Sequence, residues 1–186
     1  MASKIKVDQI QTGDGTGTIA LQNQLSGMTT ASLPALGSAQ MPTGSVLQVV
    51  QNTTSTTTHF NDTTTLHTAT DLNVTITPSS SSSKILVSVN CGGLLLGTTD
   101  AILFNMLRDS TTIVARARQG YNSDSDQSEG WTSIPFFMSY LDSPSTSSAI
   151  TYSFKIGMGA SSSCQLQINS GTGTNDGIVT AMEIAG

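Results

Sequence analysis

From Gly44 onward the apolar residues come in short runs, separated by clusters of Gly, Ser, Asp, Asn and Pro. Within several runs they alternate with polar ones. Leu72-Asn73-Val74-Thr75-Ile76-Thr77, the trio Ile85, Val87 and Val89, and the pair Leu166 and Ile168 carry the period of two that sends successive side chains to opposite faces of a strand. The pattern predicts nine strands, over residues 45–51, 72–77, 84–96, 101–108, 112–118, 131–141, 150–157, 165–169 and 178–184. Leu94-Leu95-Leu96 and Ile134-Pro135-Phe136-Phe137-Met138 do not alternate and read as strands buried on both faces. Asp109-Ser110, between two apolar runs, reads as a hairpin tip, because Asp and Ser side chains bond their own backbone in tight turns. The hydroxyl-rich segments 53–58, 79–83 and 161–163 read as connections. Helical periodicity has almost no place in this stretch, so the expected fold is all-β, an antiparallel β-sandwich.

Hydrophobic density falls before residue 43, which sets the expected boundary between an arm and linker (1–42) and a head domain (43–186). Lys4-Ile5-Lys6-Val7-Asp8-Gln9-Ile10 opens with alternation, Gly13-Asp14-Gly15-Thr16-Gly17 is a run of turn residues, and Thr18-Ile19-Ala20-Leu21-Gln22 alternates again. This predicts a small hairpin, and an isolated hairpin is marginal in water. Ile5, Val7, Ile10, Ile19 and Leu21 therefore need a surface from elsewhere. Two are weighed: the arms of other copies, or a separate protein to which the arm adds strands by edge pairing, and the second is favoured. The low charge of the arm suits burial.

Composition explains how such a chain stays polar. Charged residues are 10% of it, against about 25% in ordinary domains. In their place stand 28 Thr and 27 Ser among 186 residues. Hydroxyls hydrate a surface without mutual repulsion, and β-branched Thr sits well on a pleated strand. Seven basic and 12 acidic residues give a net charge of −5, so there is no basic footprint for phosphates. Nucleic-acid binding is not expected. Neither is membrane insertion, since the apolar runs fall far short of about 20 residues. The opening residues lack the apolar core of an export signal.

Candidate chemistry is sparse. Cys91 and Cys164 sit in apolar or alternating stretches and read as buried thiols, small hydrophobes in a core, with a disulfide between them as the alternative. His59 and His67 lie in Thr-rich segments that read as loops, with no nucleophile context beside them. The acidic run around Asp124, Asp126 and Glu129 lacks the Gly and Glu positions of a twelve-residue calcium loop and reads as solvated. No helix follows the Gly13–Gly17 or Gly171–Gly173 letters to hold a phosphate, so they read as turns. No metal, cofactor or catalytic residue is assigned, and only two Glu occur in the chain, too few for a depolymerase groove. The one candidate contact for a ligand is the polar loop flanked by aromatics, where Tyr121 and Trp131 would stack a sugar and Asp124 and Asp126 would accept its hydroxyls.

These residues carry a resemblance. The opening segment from Ser3 to Leu21 resembles the amino-terminal segment by which bacteriophage fibre and appendage proteins anchor to the virion. Thr77-Pro78 through Ser83-Lys84-Ile85-Leu86-Val87, Leu107-Arg108-Asp109-Ser110-Thr111-Thr112-Ile113, Leu141-Asp142-Ser143-Pro144 and Thr180-Ala181-Met182-Glu183-Ile184 are similar to the jelly-roll head domain of such fibres. The likeness spans most of the chain. It implies a virion location, a homotrimer built on three jelly rolls, an arm docked through Ile5, Val7, Ile10, Ile19 and Leu21 on capsid, neck or tail proteins, and a head exposed for host attachment, with a host surface glycan as candidate ligand. There is no long shaft between arm and head, which keeps a capsid decoration or cement role open. A free carbohydrate-binding module is the reading from another class.

Overall fold

The computed structural model describes residues 37, 40–56, 58–61, 66–96, 100–122, 131–158, 165–168 and 177–186. The chain divides into two compact units, Met1–Gly37 and Ser38–Gly186, and every strand described here belongs to the second. There are ten: β1 Val46–Thr54, β2 Thr58–Asn61, β3 His67–Ile76, β4 Lys84–Leu96, β5 Asp100–Arg108, β6 Thr111–Asn122, β7 Trp131–Asp142, β8 Ile150–Met158, β9 Gln165–Ile168 and β10 Gly177–Ile184. All pairings are antiparallel.

Two of these strands are interruptions of others. Along one edge of β4 the partner is β10 as far as Cys91 opposite Gly177, and then β9 from Gly93 opposite Ile168. In the next lane β1 ends with Thr54 opposite Gly177, and β2 resumes with Thr58 opposite Ile168. The first sheet therefore has four lanes, β1/β2, β10/β9, β4 and β7, and the second runs β3, β8, β5, β6. Successive strands cross repeatedly between the sheets. That order is the jelly roll, in which two Greek keys wrap a sandwich.

Alternation builds the core. β3 contributes Leu72, Val74 and Ile76; β4 Ile85, Val87, Val89 and Cys91; β8 Ile150, Tyr152, Phe154 and Ile156, all buried between the sheets. Phe104 of β5 and Phe136 of β7 stack nearly parallel across the interior, joining the two sheets. Each such side chain contributes about 1.5–3 kcal/mol by leaving water, which offsets much of the ordering cost of the strands. The sandwich is also laced along the β1 and β3 edges. Asn52 Nδ2 donates to the carbonyls of Asp71 (3.1 Å) and Asn73 (2.8 Å), and Gln48 Nε2 donates to the Thr77 carbonyl (2.7 Å). Asp71 takes a left-handed φ of 61° where the β3–β8 register shifts, which turns its carbonyl toward Asn52. At the head of β1, Ser45 N–H bonds the Pro42 carbonyl, and Gly44 supplies the φ of 89° that this turn needs at its third position.

Three expectations are corrected. Residues 53–58 are not one loop, because β1 continues to Thr54 and β2 begins at Thr58. Thr at these positions serves strand as well as turn. His59 and His67 lie in β2 and β3 for the same reason. The segment 134–138 is not buried on both faces, since Phe136 and Met138 point into the core while Phe137 is 61% exposed.

Candidate interaction surface

The site begins with the register of the first sheet. On its outer face Val49, Met182, Leu86 and Leu141 stand in one row across β1, β10, β4 and β7. The next row is Gln51, Thr180, Ser88 and Ser139, and the third is Thr53, Ile178, Asn90 and Phe137. None of the twelve carries a charge. Val49 is 56% exposed, Leu141 49% and Phe137 61%, and Leu86, Ile178 and Met182 are half-buried by their neighbours. Lys84 borders the face beside Val46 and Ile184. The outer face of an antiparallel sheet is usually the polar one. The second sheet obeys that rule across β3 and β8, which present Asn73, Thr75, Thr151, Ser153 and Lys155, with the Thr75 and Thr151 hydroxyls bonded at 2.8 Å.

Two polar clusters hold the sandwich that carries this face. In the first, Glu183 of β10 points inward and is fully buried. Its Oε1 accepts from the Ser79 backbone N–H (2.7 Å), the Ser79 hydroxyl (2.7 Å) and the Ser83 hydroxyl (2.6 Å), and its Oε2 accepts from Gln48 Nε2 (2.6 Å). Burial pushes the carboxyl up, but these four donors outweigh it and hold the group below its ordinary value. The serine loop between β3 and β4 is thereby pinned to β10. A hollow of about 280 Å³ opens beside it, with Met41, Leu47, Ser79, Ser80 and Ser83 among its walls. None of the lining residues is a His, Lys, Asp, Glu or Cys, so no general base stands beside the serine hydroxyls that line it.

In the second cluster, Arg108 at the end of β5 donates through one nitrogen to both oxygens of Asp142 at the end of β7 (3.0 and 2.9 Å). The Tyr152 hydroxyl donates to Asp142 Oδ2 (2.8 Å) from the core side. Burial, and then the bond and charge of Asp142, raise the Tyr152 phenol well above its ordinary value, so it remains a donor. Beside it, Asp109 forms the expected hairpin tip at φ 53°; its N–H bonds the Thr151 carbonyl (2.7 Å) and its Oδ1 accepts from Thr151 N–H (3.0 Å). Sequence reading named the segments that supply most of both clusters but did not bring them together. The available signal was parity, since Glu183 shares the inward face with Val179 and Ala181.

The structure places the remaining candidates as follows. Cys91 is a free thiol in the core, and burial pushes it up to about 12. Cys164 lies outside the described residues, as do Ile5, Val7, Ile10, Ile19, Leu21, Asp124, Asp126 and Glu129. Tyr121 lies on β6 opposite Ala101 and Trp131 opens β7 opposite Leu96, and residues 123–130 between these strands lie outside the described residues. Among the described residues no group of three or more His, Cys, Asp or Glu is placed to hold a metal.

Comparison with known proteins adds little to this geometry. No protein-family model matches the chain, and no curated protein matches it. Among solved structures it is similar to a chain in the structure of infectious bursal disease virus Gt strain, at 13% identity and a TM-score of 0.37 over 82% of this chain and 42% of that one. It is also similar to a chain of the Gx strain structure, at 10% identity and a TM-score of 0.30 with the same coverage. The chain thus spans about two-fifths of the length of the chains it matches.

Proposed function

We propose that this chain is a virion structural protein, a short trimeric fibre whose arm over residues 1–42 anchors it to the particle and whose jelly-roll head is exposed for host-surface attachment. The observation that carries this reading is the uncharged outer face of the first sheet, half of whose twelve residues are apolar, set on a sandwich laced at its edges. A solitary soluble domain gains nothing from keeping Val49, Phe137 and Leu141 in water, whereas an assembly component buries them. The likeness of the opening segment to phage anchoring arms supports the attachment point, and the apolar set Ile5, Val7, Ile10, Ile19 and Leu21 is what docks on capsid, neck or tail.

The experiment is incorporation into particles. Full-length chain and the Ile5→Asp/Val7→Asp variant are expressed during assembly, and purified particles are probed with an antibody to the head. The expected result is label on particles carrying the unmodified chain and loss of label with the variant, while both remain folded. Absence of the unmodified chain from purified particles would overturn the reading.

A further inference from the structure

We infer that the sandwich is built in two halves joined along a hinge line, and that the half holding β2, β9 and the far ends of β4 and β7 opens as a unit while the half at the arm end stays closed. All four lanes of the first sheet are weakened at one level. In the first lane β1 stops at Thr54 opposite Gly177, and β2 resumes at Thr58 opposite Ile168. In the second, β10 gives way to β9 between the same Gly177 and Ile168. The third lane, β4, crosses the level unbroken but does so through Gly92-Gly93. Glycine has no side chain to pack on its neighbours and loses the most freedom when held in a strand. The fourth lane, β7, sets Pro135 opposite Gly92. Proline has no N–H to give, so a donor is missing where β4 is softest. Gly92 also falls between the last β10 partner, at Cys91, and the first β9 partner, at Gly93.

The second sheet yields beside the same line. Thr56 Oγ1, in the gap between β1 and β2, donates to Asp71 Oδ2 (2.9 Å), and Asn52 bonds the carbonyls of Asp71 and Asn73. These contacts hold β3 against the break in the first lane. At that point the pairing advances from Thr68 to Asn73 on β3 while β8 moves only from Lys155 to Ser153, and Asp71 holds its φ of 61° within the shift. On the other side of β8, Asn105 stands opposite Lys155, and the β5–β6 register shifts around it, between Phe104 and Met106. Among the described pairings, β4–β7 and β5–β8 cross the level in continuous register, one in each sheet.

The arm-end half is the better tied of the two. It contains the Glu183 and Asp142 clusters, the Thr75–Thr151 bond, and the bonds from Gly44 N–H to the Ala185 carbonyl and from Ala185 N–H to the Ser45 carbonyl, each 2.8 Å, which carry the β1–β10 ladder past Ile184. Hydrogen bonds in one uninterrupted ladder break together, and those across a break need not, so opening units follow such lines. The hinge needs no particle; its use, letting the end away from the arm adjust to a host surface while the arm end keeps its shape, rests on the reading above.

The test is hydrogen exchange of the full chain at pH 7, read by mass spectrometry on overlapping peptides with and without low urea. Segments 58–61, 93–96, 131–134 and 165–168 are expected to exchange at least tenfold faster than 46–54, 84–91, 136–142 and 177–184, and to share one urea dependence. Pro135→Thr returns the missing donor, and Gly92→Ala reduces the freedom of β4. Each, shown to be folded by far-UV circular dichroism, is expected to slow exchange of the first set at least threefold and leave the second set unchanged.

Equal exchange in the two sets would overturn the inference. Faster exchange of the first set with a different urea dependence for each segment would overturn the single opening unit. Folded variants that leave the first set unchanged would overturn the hinge line as its cause. The comparison within the unmodified chain stands without either variant.

Discussion

Glu183 shows how one residue reaches across the fold. Its carboxylate has four donors and no cation, so its charge is held by hydroxyl, amide and backbone dipoles. Its folded titration lies below its ordinary value of 4.5. It therefore contributes stability that is present above about pH 4.5 and is lost as pH falls through the folded value. Glu183→Gln sets an amide against the Gln48 amide and should cost about 1–3 kcal/mol at pH 7. Thermal melts at pH 7 and pH 4 check both points: the unmodified chain should lose more on acidification than the variant does. Asp142 is the matching residue at the other cluster. Asp142→Ala leaves the buried Tyr152 hydroxyl and the partly exposed Arg108 without their acceptor and should cost about 2–4 kcal/mol. Tyr152→Phe removes one of those bonds and should cost about 1 kcal/mol, so denaturant midpoints should rank the two in that order.

At the scale of the strand, period-two patterning was enough to place most of the sheet. β4 occupies Lys84–Leu96 as its residues predict, and β8 and β10 fall within one residue of their expected bounds. The failures have separate causes. Thr and Ser make up 55 residues and serve strand faces and turns equally, so residues 53–58 look like a loop although Thr53 and Thr54 end β1 and Thr58 opens β2. Phe137 fails differently. A continuous apolar run signals burial on both faces, and the second face here is the outside of the molecule. The apolar row was likewise out of reach, because Val49, Met182, Leu86 and Leu141 become neighbours only through the register of three separate pairings. The β5–β6 turn offers a test at this scale. Asp109 combines a left-handed backbone with a bond to Thr151, so Asp109→Ala loses both while Asp109→Gly loses only the bond. Denaturant unfolding should find the Ala variant less stable than the Gly variant by about 0.5–1 kcal/mol.

For the whole molecule, the two sheets divide the work. Their inner faces share one core, and the polar clusters tie loop, hairpin and strand ends to it. Their outer faces differ, one polar across β3 and β8 and one uncharged with an apolar row, and the proposed assembly role rests on this asymmetry. Fold class was legible from alternation, while the proposed quaternary role rests on a surface that only the folded register creates. The most direct measurement is therefore the solution mass of the unmodified full chain by light scattering at low micromolar concentration and below. A mass of three times 19.3 kDa that persists on dilution is the predicted result. A single-chain mass throughout, with the apolar face left in water, would contradict the account.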